Sequence, residues 1–267
     1  MKTNFMKTKS DKWQVPGDRK NRACSPHASR VTLAPPKRSE GGRHAFTLIE
    51  LLVVIAIMAI IAAFILPVTG AIKRQQYLKT ARAEMDQIAT ALDNYKAKYG
   101  AYPPSNPNLS PLYNMLYYEL SGVTHNTANS SYTTLDSACT IPDGSSGPGY
   151  STAFSAGGSS IGGIINCTKG GAEDGTIAKN FLPSLKQNRY GTSLTPVNNV
   201  PITNLVTSVR GPDANYTPLG ALYPDVNPFR YIYPGTNNPS SYDLWIDLKI
   251  SGKTNRISNW STKPQIL

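Results

Sequence analysis

The chain is poor in the residues that carry chemistry. Its 267 residues include 3 His and 3 Cys, and beyond residue 45 His125 is the only histidine, so a His-dependent triad would rest on that one side chain. No H-E-x-x-H or paired-cysteine motif occurs. No spacing of His, Cys, Asp and Glu suggests a metal centre, and the run Gly157–Gly163 lacks the Lys-Ser/Thr of a phosphate loop. Isolated acids such as Glu119 and Asp136 read as surface residues. Tyr113, Tyr117 and Tyr118 could stack on a ligand, but core packing or an intersubunit contact is the simpler use. These absences argue against an enzyme, and they imply no cofactor.

Acidic residues are also scarce, 16 Asp+Glu against 27 Lys+Arg, for a formal net charge of +11. The excess is local: residues 1–45 hold 11 basic and 3 acidic side chains, giving +8 and leaving +3 for the rest. A nucleic-acid partner is therefore not implied. Residues 1–45 have almost no apolar periodicity and read as a disordered basic leader, with Met6 as an alternative start.

What is present is a long apolar run. From Phe46 to Leu66 no helix breaker occurs before Pro67, and Glu50 is the one charge. As a helix at about 1.5 Å per residue this run is roughly 31 Å long, against roughly 30 Å of bilayer hydrocarbon. A plain anchor or an uncleaved signal sequence is the simplest reading. Glu50 points elsewhere, because a carboxylate in a spanning segment costs a few kcal/mol unless neutralised or near an end. The basic leader would hold the amino-terminal side in the cytoplasm.

The segment Ala45-Phe46-Thr47-Leu48-Ile49-Glu50-Leu51-Leu52-Val53-Val54-Ile55-Ala56-Ile57 behind a basic leader resembles the N-terminal motif of type IV pilins and type II secretion pseudopilins. The resemblance implies that a prepilin peptidase cuts between Ala45 and Phe46 and methylates the new Phe46 amine. Glu50 is then the acid used in assembly. The family usually has Gly before the cut. Gly42 is the alternative site, but it would leave Arg43 and His44 on a terminus that must enter lipid. The implied partners are the chain itself in a helical fibre, other pseudopilins or pilins, the prepilin peptidase, and an inner-membrane assembly platform with its ATPase. The implied location is single-pass in the inner membrane, with the amino terminus cytoplasmic and the remainder periplasmic.

After a possible kink at Pro67, Leu78, Ala81, Met85, Ile88, Leu92, Tyr95 and Tyr99 recur at helical spacing, with charges on the other faces and Gly100 as the stop. The proline-rich segment 101–111 reads as a loop, and Leu112 to Leu120 as a short helix closed by Gly122. Asn94-Tyr95-Lys96-Ala97-Lys98-Tyr99-Gly100-Ala101-Tyr102-Pro103 is similar to the junction after the long helix of major pseudopilins. Residues 121–225, rich in Ser, Gly, Thr, Asn and Pro, read as a variable insert with short strands at Gly162–Cys167 and Val200–Val209. Phe229 to Tyr233 and Tyr242 to Leu248 form a hairpin.

In the leader Cys24 would be removed, leaving Cys139 and Cys167. In an oxidising compartment these can pair, adding roughly 3 to 4 kcal/mol in the chain-entropy model, with two unpaired buried thiols as the alternative. Asn227 to Gly235, Ser241 to Leu244 and Arg256-Ile257-Ser258-Asn259-Trp260 are similar to the tail of major pseudopilins, which holds calcium in the loop after the last strand. Here Lys249–Arg256 occupies that loop and Arg256 stands where an Asp is expected. The calcium site therefore reads as lost, with Asp247 a weak candidate ligand that is otherwise solvated or at a strand end.

The expected architecture is α+β: a leader over 1–45, a membrane-spanning half-helix over 46–66, and an amphipathic half over 67–100. A globular domain over 101–267 follows, with the helix packed on a small antiparallel sheet, pilin-like. The implied function is a pseudopilus-type structural subunit of a type II secretion-like system. The alternatives are a type IV pilin for adhesion, motility or DNA uptake, and a membrane-anchored binding module.

Overall fold

The computed structural model describes residues 46–106, 110–155, 162–169, 177–196, 198–210, 213 and 216–267, without the side chains of 64–69. The leader with Ala45 and Cys24, and most of the run Gly157–Gly163, lie outside the described residues. The chain divides into two units, Met1–Val53 and Val54–Leu267.

In the first unit the described part is Phe46–Val53, exposed throughout, where helix α1 (Leu48–Tyr99) begins. That helix runs 52 residues and continues through position 67 without a break.

In the second unit α1 buries Ala81, Met85, Ile88, Leu92 and Tyr95 of the stripe that the spacing predicts, together with Ala91, while Leu78 and Tyr99 at its ends are partly buried. The helix stops where Gly100 turns to φ +82° and donates its N–H to Lys96 O at 2.8 Å. After the expected loop comes α2 (Leu116–Ser121), shorter than expected and buried on every residue. It ends at Gly122, whose φ is +68° and where a Cβ would lie 2.9 Å from Lys179 O.

The insert is more ordered than its composition suggests. It folds β1 (Val123–Asn126), β2 (Ser131–Thr134), β3 (Thr140–Pro142), the helical turn α3 (Tyr150–Ala153) and β4 (Cys167–Lys169), followed by β5 (Tyr190–Leu194) and β6 (Pro201–Leu205). The first four strands form a sheet in the order β3-β2-β1-β4, antiparallel except that β1 and β4 run parallel, while β5 and β6 form a separate pair. Of the two strands expected here, β6 falls within its range and β4 meets its range only at Cys167.

The C-terminal sheet has the order β10-β9-β8-β7, from β7 (Arg230–Ile232), β8 (Asp243–Ile250), β9 (Lys253–Ser258) and β10 (Ser261–Ile266). The hairpin of β7 and β8 is as expected. Lys249–Arg256 is not a loop: the chain turns on Ser251 and Gly252, at φ +52° and +77°, and continues as β9. Asp213 fixes this turn by accepting from Ser251 N at 3.0 Å and Gly252 N at 2.7 Å. Leu244, Ile246, Leu248 and Ile250, alternating along β8, join the α1 stripe and α2 in one core. Among the described residues three sheets thus stand in place of the single small sheet expected.

Candidate functional site

The amino-terminal site is built by one helical turn. Thr47 precedes the first residue of α1, where the leading N–H groups lack helical partners. Glu50 reaches back to accept from Thr47 N at 2.9 Å and Thr47 Oγ1 at 2.8 Å, and Glu50 N donates to Thr47 Oγ1 at 3.3 Å. This reciprocal arrangement is a capping box, and it places a carboxylate at the positive end of the helix dipole. Glu50 therefore has donors of its own within the chain. The T-x-x-E spacing before an apolar run was the available signal for Thr47, which the sequence reasoning passed over.

Phe46 is 80% exposed, and every residue from Phe46 to Ala63 is exposed, on all sides of the helix. An apolar helix surface of that kind is stable only when lipid or neighbouring protein covers it. Among the described residues no helix is long and apolar enough to cross a membrane; the described side chains of the run stop at Ala63, short of its end.

Asp247 is neither solvated nor at a strand end. It is buried within β8, where Arg256 Nε and Nη2 donate to its two oxygens at 2.8 and 3.0 Å and Arg230 Nε stands 3.6 Å away. The cross-strand register, Asp247 opposite Arg256, sets this geometry. With two guanidinium groups beside it, the Asp247 carboxylate is not free to hold a hard cation.

No disulfide joins Cys139 and Cys167. Cys167 lies opposite Val123, Val123 opposite Thr134, and Thr134 N donates to Cys139 O at 2.9 Å. Three strand spacings of about 4.8 Å put the two roughly 14 Å apart, beyond the reach of an S–S bond. Cys139 Sγ instead lies 3.3 Å from Thr203 Oγ1, and Cys167 Sγ donates to Thr168 O at 3.6 Å.

Glu119 is not a surface residue. It is fully buried and accepts from Tyr95 OH, Ile165 N and Asn166 N, each at 3.0 Å. Burial pushes its carboxyl above the usual carboxylate range, an effect the three donors partly offset. Asp136 is exposed, accepting from Ala138 N at 3.0 Å. Tyr117 and Tyr118 are core residues, with ring centroids 5.4 Å apart, and Tyr113 is partly buried against the same core.

Sequence reasoning also missed the polar clasp on α1. Buried Glu84 accepts from Thr207 Oγ1 at 2.7 Å, from Ser208 N and from Ser208 Oγ, and pairs with buried Arg189 at 3.4 Å. Its position among charged neighbours on α1 gave no signal of burial.

Residues 42–66 match the model of the prokaryotic N-terminal methylation motif. The amino-terminal stretch is similar to that of pseudopilins and type IV pilin-like proteins. The chain is also 37% identical over 76 residues to the type II secretion system core protein G of Pseudomonas aeruginosa, a match covering 28% of this chain and 51% of that protein. The chain thus spans about half the length of the curated relative it matches. No solved structure matches it.

Proposed function

We propose that the chain is a structural subunit of a pseudopilus-type fibre, stored in the inner membrane and assembled from it to drive protein secretion. The observation that carries the proposal is the first half of α1. It is an apolar helix exposed on all sides whose one acid, Glu50, is set at the first turn beside the motif's Phe46. In this reading a prepilin peptidase removes residues 1–45 after Ala45 and methylates Phe46, and a platform protein and ATPase draw the subunits out of the bilayer. Neighbouring copies and other pseudopilins then cover the surface that lipid covered before.

Glu50 has the central part. In the bilayer it lies about four residues, or roughly 6 Å, from Phe46, near enough to the headgroups to remain solvated. In the fibre neighbouring helices close that route, and the carboxylate pairs with the terminal amine of an adjacent Phe46. The residues do no covalent chemistry of their own.

The test is the amino terminus. Mass spectrometry of the membrane-extracted chain is expected to find an N-methylated Phe46, and an intact leader in cells with active prepilin peptidase would overturn the proposal.

A further inference from the structure

The outer face of the C-terminal sheet carries a second, unrelated constellation. Arg230 on β7 lies opposite Trp245 on β8, and Trp245 lies opposite Ser258 on β9, so the three side chains form one row on one face. Each member has a buried polar atom with no hydrogen-bond partner among the described residues: Arg230 Nη1, Trp245 Nε1 and Ser258 Oγ. Arg230 is 8% exposed and Ser258 fully buried. Buried donors almost always find an acceptor, and three orphans in one cross-strand row call for a shared one.

The local charge gives that acceptor its sign. Arg256 takes both oxygens of Asp247 at 2.8 and 3.0 Å, leaving Arg230 with Nε at 3.6 Å from the same carboxylate and Nη2 donating to Tyr216 OH at 3.0 Å. Two guanidinium groups share one carboxylate, so one positive charge is uncompensated beside the orphan donors. Burying it alone would be expensive.

We propose that Arg230, Trp245 and Ser258 form a binding site for a small monovalent anion of the halide class. An arginine and an indole N–H can only donate, and the serine hydroxyl can turn its proton the same way, which suits a spherical acceptor with no donor of its own. Trp245 lies between the other two at a Cβ spacing of roughly 5 Å from each, so Arg230 and Ser258 stand about 10 Å apart and the long Arg230 side chain has to reach toward the indole. A bound water would satisfy fewer donors and would not offset the charge.

The test is the indole N–H resonance of Trp245, assigned through Trp245→Phe, in the full-length chain labelled with nitrogen-15 and solubilised in detergent. Chloride replaces gluconate at constant ionic strength. The expected result is a saturable shift of the Trp245 signal while that of Trp260 stays fixed, with affinity reduced about tenfold or more in Arg230→Gln. Ser258→Ala, a smaller change that keeps the charge, is expected to weaken binding severalfold and decides the matter if Arg230→Gln does not fold. A Trp245 signal that stays put, or drifts without a plateau as a water-filled site would allow, overturns the proposal. So does saturation unchanged in the variants. None of these outcomes bears on fibre assembly.

Discussion

Arg256 grips both oxygens of Asp247, at 2.8 and 3.0 Å, across two neighbouring strands. The pair forms an internal ion pair with Arg230 as a third member. Asp247→Asn should leave two guanidinium groups without their carboxylate and destabilise the domain by about 3 kcal/mol, read from urea unfolding. Adding calcium or a chelator should leave the parent's midpoint unchanged. A calcium-dependent midpoint would mean that the arginines do not hold the site.

The clasp between Glu84 and Arg189 ties the insert to the long helix. Removing the carboxylate strands a buried guanidinium and frees Thr207 and Ser208, so Glu84→Ala should cost about 3 to 5 kcal/mol. Hydrogen exchange should locate the loss in β5, β6 and the residues after them. Uniform protection in the variant would contradict the clasp.

Glu119 makes stability depend on pH. Burial raises its carboxyl above the ordinary 4.5, so the folded protein holds this proton more tightly than the unfolded chain does. Its contribution is complete at low pH and is lost as pH rises from about 4.5 through the folded-state value. Urea midpoints of the parent should therefore fall across that interval, and Glu119→Gln should remove that part of the slope. A parent slope identical to the variant's would contradict the assignment.

The cysteines should behave as two separate thiols. Cys139, partly exposed, should label in the folded protein without reductant, whereas Cys167, buried, should label only after unfolding. A requirement for reductant in denaturant would restore the disulfide.

The amino-acid sequence makes the long helix legible because one period governs it: the stripe from Ala81 to Tyr95 is apolar at the helical repeat, and Gly100 ends it. The hairpin of β7 and β8 is legible for the same reason, with a period of two. The insert is not, since its strands are short and polar, and β2 (Ser-Tyr-Thr-Thr) buries only its last residue fully. Glu119 and Glu84 look like surface acids because their partners lie 24 or more residues away along the chain. The β9 strand was hidden by Arg256, whose partner, Asp247, sits on the neighbouring strand. At the amino terminus the motif of Phe46 and Glu50 was plain, whereas Thr47's role required reading capping rather than hydropathy.

Glu50→Gln separates the charge of this residue from its shape. Glutamine keeps a side-chain oxygen that can accept from Thr47 N and Thr47 Oγ1, so the first turn of α1 should remain capped. What it removes is the negative charge proposed to meet a neighbour's Phe46 amine, a loss worth about 3 to 5 kcal/mol when the pair is buried. The measurement is the amount of subunit in sheared and cross-linked fibres relative to the membrane pool, in cells making the parent or Glu50→Gln. The expected result is normal leader removal and a normal membrane pool with little or no variant in the fibre fraction. Assembly of Glu50→Gln at the parent's level would contradict the pairing mechanism.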